Sequence, residues 1–242
     1  MEAVRTVNLT KKYGKITALD NLCLQIEDGE LFALLGVNGA GKTTLIKILS
    51  GLITPTDGDA LVLGKSVVRE SESIKGLIGV SLQETAIALG LTVFENLEFF
   101  CGIYGFRKDE SRKRIDKICA ELGLSEVLSR KAGSLSGGYQ RRLSIAMALI
   151  GEPKILFLDE PTLGLDVLAR GELWEVIRSL KGRVCIILTT HYIAEAEMLS
   201  DRVGIMKDGK LLSVGSPDEL LAMTGEKSLE GAFVSIVKEA GL

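Results

Sequence analysis

The run Gly36-Val37-Asn38-Gly39-Ala40-Gly41-Lys42-Thr43-Thr44 has the residue types and spacing to hold phosphate, fitting G-x-x-x-x-G-K followed by Ser or Thr at every fixed position. Glycines there let successive backbone N–H groups turn towards phosphate oxygens, and a following helix would present the positive end of its dipole to the anion. Lys42 would reach the β- and γ-phosphates, and the Thr43 hydroxyl would bind Mg²⁺. Far downstream, Asp159-Glu160 follows the apolar run Ile155-Leu156-Phe157-Leu158. Asp159 at that strand tip is the metal candidate, and Glu160, one residue on, is placed to polarise a water attacking the γ-phosphate. The single histidine, His191, follows another apolar run and the pair Thr189-Thr190. A lone histidine is often structural. Ligands in open α/β sheets bind beyond the carboxyl ends of strands, however, so His191 shares an edge with Gly36 and Asp159 if their strands are neighbours.

These groups need elements to position them. Leu31 to Leu35 reads as a buried strand before the loop, and Thr44 to Ser50 continues with helical spacing, Leu45, Ile48 and Leu49 on one face. Short strands are expected at Val4 to Leu9, Leu22 to Ile26, Ala60 to Leu63 and around Ile78-Gly79-Val80, the last ending at Gln83. From Gln83 to about Ile150 the pattern is helical. Thr92-Val93-Phe94-Glu95 is a capping box opening an apolar-rich helix to about Tyr104. Lys108 to Leu122 follows, with Ile115, Ile118, Cys119 and Leu122 on one stripe, and a third helix starts after Ser136. Of Phe94, Leu97, Phe99, Phe100 and Tyr104, most are expected in the core. The mixed charges of Arg107 to Arg114 fit a solvated helix face. Strand, helix, strand over Ile155 to Leu158, Val167 to Leu180 and Val184 to Leu188 implies parallel pairing with right-handed crossovers. Ser216-Pro217-Asp218-Glu219 opens a C-terminal helical segment.

A chain of 242 residues can bury a sizeable core. Its formal charge of −3 gives no footprint for nucleic acid, so no nucleic-acid partner is expected. Cys23, Cys101, Cys119 and Cys185 lie far apart, which points to reduced packing cysteines over a zinc site or disulfide framework. No apolar stretch reaches membrane-spanning length, and Met1-Glu2-Ala3-Val4-Arg5 lacks the layout of a secretory signal. Any membrane role is expected to come through a partner.

Taken in order, the phosphate loop, Gln83, Leu135-Ser136-Gly137-Gly138, Ile155 to Glu160 and His191 resemble the ATP-binding cassette (ABC) ATPases, from Tyr13 to about Leu220. The resemblance implies an α/β fold: a phosphate-loop NTPase (RecA-like) core with an antiparallel β subdomain and an inserted helical subdomain. Within a single ABC ATPase domain, residues 1–83 would hold the β subdomain and the first part of the core, and 84–150 the helical subdomain with the signature. Residues 151–215 would complete the core, and 216–242 form the C-terminal helical segment. It also implies ATP and Mg²⁺ as cofactors and a head-to-tail dimer with a second ABC ATPase subunit, a homodimer. Each ATP would lie between one phosphate loop and the other copy's Ser136, Gly137 and Gly138.

Tyr13 matches the aromatic that stacks on adenine, Gln83 the glutamine that contacts Mg²⁺, and Asp166 the D-loop aspartate. Taken alone, the three also fit a turn aromatic, an exposed strand end and a helix N-cap. Tyr139, Leu163 and Val167 depart from the family's usual residues and affect the signature's edge and the D-loop contacts. The family further implies a separate transmembrane permease that holds this cytoplasmic subunit peripherally on the cytoplasmic face of the cell membrane, the permease's coupling helix docking in the segment after Gln83. The wording around the motifs is similar to bacterial drug- and antibiotic-export ATPases, so export is expected. An importer ATPase and a soluble ABC ATPase serving a macromolecular assembly are the alternatives.

Overall fold

The computed structural model describes residues 2–241. The chain divides into two units, one formed by the chain up to Gly76 and from Lys181 onward, the other by Leu77–Leu180. The first passage through the first unit gives strands β1 (Glu2–Tyr13), β2 (Ile16–Glu27) and β3 (Leu31–Gly36), helix α1 (Lys42–Leu49), strands β4 (Asp57–Val62) and β5 (Lys65–Ser66), and helix α2 (Ser71–Lys75). The second unit holds β6 (Ile78–Ser81), α3 (Val93–Ile103), α4 (Lys108–Glu121), α5 (Gly137–Leu149), β7 (Ile155–Asp159) and α6 (Val167–Ser179). Back in the first unit come β8 (Cys185–Thr190), α7 (Ile193–Leu199), β9 (Arg202–Lys207), β10 (Lys210–Gly215), α8 (Pro217–Thr224) and α9 (Leu229–Glu239).

Side-chain alternation builds the first unit's antiparallel sheet. Along β2, Leu22, Leu24 and Ile26 face inward while Cys23, Gln25 and Glu27 face out, the two-residue period of a half-buried strand. The spatial order is β2-β1-β4-β5. Register shifts between Thr6 and Lys11 coincide with Asn8, and Asn21 stands opposite; both asparagines have positive φ, which Asn tolerates better than most residues. The strand β3, by contrast, is buried along its whole length and runs parallel to β8 on one side and β9 on the other. That is the pattern of a central parallel strand covered on both faces. The hairpin β9–β10 turns at Asp208-Gly209, both with positive φ. This hairpin and α7 lay outside the sequence expectations, although Asp-Gly between extended runs is a strong two-residue hairpin signal.

In the second unit β6 and β7 pair in parallel, Ile78 opposite Ile155 and Ser81 opposite Leu158. The α3 capping box is complete: Glu95 N–H donates to Thr92 Oγ1 at 3.1 Å and Thr92 N–H to Glu95 Oε2 at 2.7 Å. The Thr92 N–H and the Thr92 hydroxyl, which donates to the same oxygen at 2.9 Å, hold the Glu95 carboxyl below the usual carboxylate range. Ile115, Ile118, Cys119 and Leu122 are all buried. The exposed Arg112–Asp116 pair lies on the solvated side of α4, while Arg114, paired with Glu110, is half-buried with its guanidinium 4.0 Å from the Phe106 ring centroid. The aromatic run on α3 is not mostly core. Only Leu97 is buried, Phe94, Phe100 and Tyr104 are half-buried, and Phe99 is 63% exposed. A single helix offers one core-facing stripe, and Val93, Asn96, Leu97 and Cys101 already fill it.

At the C-terminal end Ser216 caps α8 with Pro217 in its first turn and Glu219 returning the bond. The four cysteines are free thiols, three of them buried and Cys23 exposed. Burial pushes the Cys185 thiol up to about 12 and the Cys119 thiol up to about 11. Among the described residues no helix is long and apolar enough to cross a membrane.

Candidate functional site

The phosphate loop occupies the strand-to-helix turn that its sequence called for, between the end of β3 at Gly36 and the start of α1 at Lys42. Two glycines are required by what surrounds them. A Cβ at Gly36 would lie 2.5 Å from the Met206 carbonyl oxygen, and one at Gly41 would lie 2.4 Å from that of Ala18. Gly41 also has φ +102°, outside the range open to L side chains. Backbone bonds fix the loop from behind: Gly209 N–H donates to Ala40 O at 3.1 Å and Asp20 N–H to Gly209 O at 3.0 Å. The crest, Val37, Asn38 and Gly39, is exposed, while Ala40 is buried.

Lys42 is buried, and its ammonium donates to Gly36 O at 2.7 Å and Val37 O at 3.3 Å. The cation is thereby held against the loop backbone. Lys42, Thr43 and Thr44 open α1, whose first amides lie beyond the reach of intrahelical acceptors and reinforce the positive field. Leu35 on β3 pairs with Thr190 on β8, so Gly36 and His191 leave neighbouring strand ends together. The His191 ring lies 4.1 Å from that of Tyr192. Tyr13 ends β1, half exposed, with the Lys11 ammonium 5.2 Å from its ring centroid.

The second unit gathers the remaining candidates. Asp159 ends β7 and is 1% exposed; Glu160, also buried, has φ +49°, an uncommon conformation for a residue with a side chain. Leu163 N–H bonds Glu160 O at 3.1 Å and Leu165 N–H bonds Thr162 O at 3.1 Å, so a tight turn holds Glu160 in that conformation and leads to Asp166. Asp166 caps α6 by accepting from Ala169 N–H at 2.9 Å. Leu163 is half-buried and Val167 is 80% exposed. Because Ser81 pairs with Leu158, Gln83 emerges at the same edge of the β6–β7 pair as Asp159.

Ser136 is the N-cap residue of α5 and is exposed, as is Gly137. Thr92, Asp166, Ser216 and Ser228 each bond their own helix through the side chain; Ser136 does not. Like the first amides of α5, its hydroxyl takes no part in a bond within that helix. The glycines allow close packing behind: a Cβ at Gly137 would meet Leu165 at 3.3 Å, and one at Gly138 would meet Ala169 at 3.3 Å. Tyr139 lies 5.4 Å from the Arg142 guanidinium, and Arg142 pairs with Glu172 on α6.

Sequence reasoning passed over Arg141. It is buried and donates from Nη1 to Leu82 O at 3.0 Å and Gln83 O at 3.2 Å, and from Nη2 to Gln83 O at 3.3 Å. The available signal was its phase: Arg141 shares a helical stripe with the buried Ile145, Ala148 and Leu149, and a cation on such a stripe needs acceptors.

A family model described as ABC transporter matches residues 19–163. The probable multidrug ABC transporter ATP-binding protein YbhF of Escherichia coli (strain K12) is 39% identical over 98% of this chain and 42% of its own length. The daunorubicin resistance ATP-binding protein DrrA3 of Streptomyces coeruleorubidus is 38% identical over 99% of this chain and 75% of its own length. The chain therefore spans less than half of YbhF. Among solved structures, an ATP-binding subunit of an ABC transporter superposes with a TM-score of 0.85 at 28% identity, covering 97% of this chain and 99% of the other. The dimeric, post-hydrolysis ATP-binding cassette MJ0796 bound to ADP and Pi gives a TM-score of 0.78 at 30% identity over 88% and 98%.

Proposed function

Because the chain belongs to the ABC transporter family, matching its ATP-binding cassettes in sequence and fold, we propose that it hydrolyses ATP to ADP and phosphate to drive a separate permease. The observation that carries the reading is the pairing of Leu35 with Thr190, which sets His191 beside a complete phosphate loop. In this reading Gly36 to Thr44 bind the phosphates, Lys42 neutralises the β- and γ-phosphates, and Tyr13 stacks on adenine. Glu160 accepts a proton from water as its oxygen bonds the γ-phosphorus and the bond to the ADP oxygen breaks. His191 donates to the γ-phosphate.

The donor set suits Mg²⁺ brought in with the nucleotide. Among the described residues no cluster of three or more His, Cys, Asp or Glu could hold a metal alone, whereas Mg²⁺ commonly takes one or two protein oxygens plus phosphates. Thr43, Asp159 and Gln83 would hold it, and it would supply neutralisation of the phosphate charge.

Ser136, with a hydroxyl that its own helix does not use, supports a composite site. Two copies close over two ATP molecules, each held by one copy's phosphate loop and the other's Ser136, Gly137 and Gly138, with Asp166 in the adjoining D-loop. The exposed Leu89, Leu91, Phe99 and Ile103 support a docking surface for the permease, and in this reading the subunit works at the cytoplasmic face of the membrane. The names of YbhF and DrrA3 support export of a drug-like compound.

Replacing Glu160 by Gln should keep ATP binding, slow hydrolysis by at least about a hundredfold and trap an ATP-bound dimer on a sizing column. A strict monomer with ATP would overturn the composite site. Mixing a Ser136→Ala chain with a Lys42→Ala chain should restore hydrolysis at one site per dimer, and no rescue would count against shared sites.

A further inference from the structure

We infer that Arg141 is a positioning residue for ATP hydrolysis, tying the start of the signature helix to the Gln83 loop so that the two move as one body. The inference rests on the ATPase reading above. Gln83 lies beyond the end of β6 at Ser81, so the Leu82 and Gln83 carbonyls fall outside the β6–β7 ladder. The Arg141 guanidinium accounts for both of them with three bonds of 3.0 to 3.3 Å. Charge-assisted bonds from a planar fork are stronger and more directional than neutral ones. The donor sits one helical turn beyond Gly137, so any displacement of the helix start is transmitted to the Gln83 backbone.

The far end of the same loop has its own anchor. Ala88 N–H donates to Asn96 Oδ1 at 2.9 Å, and Asn96 Nδ2 donates to Ala88 O at 3.1 Å. The loop is therefore pinned at both ends with the Gln83 side chain exposed at the α5-held end. On the α5 side the neighbours of Arg141 brace the same helix turn. Gln140 Nε2 donates to Ala132 O at 3.1 Å, and Arg142 pairs with Glu172. Arg141 is the member of this trio that reaches Gln83. Gln83 would serve the chain's own ATP and Ser136 the other copy's, so the tie links the two sites.

The test compares the full chain carrying Arg141→Met, Arg141→Lys, Gln83→Ala, and Arg141→Met with Gln83→Ala. Arg141→Met should lower kcat about tenfold and raise the Mg²⁺ concentration for half-maximal activity, with ATP affinity measured without Mg²⁺ unchanged. Amide hydrogen exchange over Glu84 to Leu91 should quicken. Arg141→Lys should restore part of the loss, since one ammonium can meet a carbonyl but cannot fork. The double variant should be no worse than the poorer single one, because both act through Gln83.

Full kcat with an unchanged Mg²⁺ requirement in Arg141→Met, or multiplied losses in the double variant, would overturn the inference. If Arg141→Met does not fold, Arg141→Lys decides by the same two readouts. If the unaltered chain lacks ATPase activity, the ATPase reading fails; if that activity is present and Gln83→Ala impairs it while the Arg141 variants match the unaltered chain, only this inference fails.

Discussion

Two helices begin at glycines, α1 after Gly41 and α5 at Gly137, and the chain fixes their starts by different means. Around α1 the constraints are largely backbone: the left-handed Gly41, the Ala18 carbonyl against it, and the Gly209 and Asp20 amides bonded in series behind the loop. Around α5 they are largely side chains: Gln140, Arg141 and Arg142 each reach a different neighbouring segment. Backbone clamps leave little room for variation, because only glycine fits. Side-chain clamps can be strengthened, weakened or redirected one residue at a time, which suits the helix expected to meet a second copy. Tyr139, a departure from the family's usual residue, sits within the second kind of clamp, over Arg142.

The largest expected effect lies on the backbone side. Gly41→Ala would force a left-handed alanine and a contact of 2.4 Å with Ala18 O, so ATP affinity should fall by at least about a hundredfold. Equilibrium binding of ATP checks this, and near-normal affinity would show that the loop can shift freely. A smaller effect is expected from Arg142→Met, which removes the pair with Glu172 and the cation near Tyr139. ATP affinity should hold while ATP-driven dimerisation weakens several-fold. A double-mutant cycle with Glu172→Gln should give a coupling of about 0.5 to 1 kcal/mol, since Glu172 is largely exposed. A coupling of zero would mean that this pair contributes nothing and that Gln140 and Arg141 hold the helix start.

The same division governs what could be read from the residues alone. The phosphate loop, the Thr92 and Ser216 capping boxes and the α4 stripe were legible because their chemistry closes within a few positions of the chain. The Arg141 bonds span 58 and 59 positions, and nothing local announces their acceptors. The positive φ of Glu160 is equally silent, since the turn to Leu163 imposes it. The aromatic run on α3 holds more apolar residues than one helix stripe can bury, and residue type alone does not say which of them face solvent. The β9–β10 hairpin carries its signal at Asp208-Gly209, but β10, with Lys210 and Ser213 in six residues, lacks the continuous apolar run that marks β3.

The smallest expected effect is also the sharpest test of the contrast between the clamps. Asp166 and Ser136 both stand at helix N-caps, but Asp166 accepts from Ala169 N–H whereas Ser136 makes no side-chain cap bond. Asp166→Ala should therefore cost about 1 kcal/mol of stability, read as a lower thermal midpoint. Ser136→Ala should leave that midpoint within a few tenths of a kcal/mol of the parent, because no cap is lost. Its effect should appear only when ATP is added, as a loss of dimer. If Ser136→Ala lowered the thermal midpoint as much as Asp166→Ala, its hydroxyl would be a structural cap in solution, and the case that it is reserved for another copy's nucleotide would lapse.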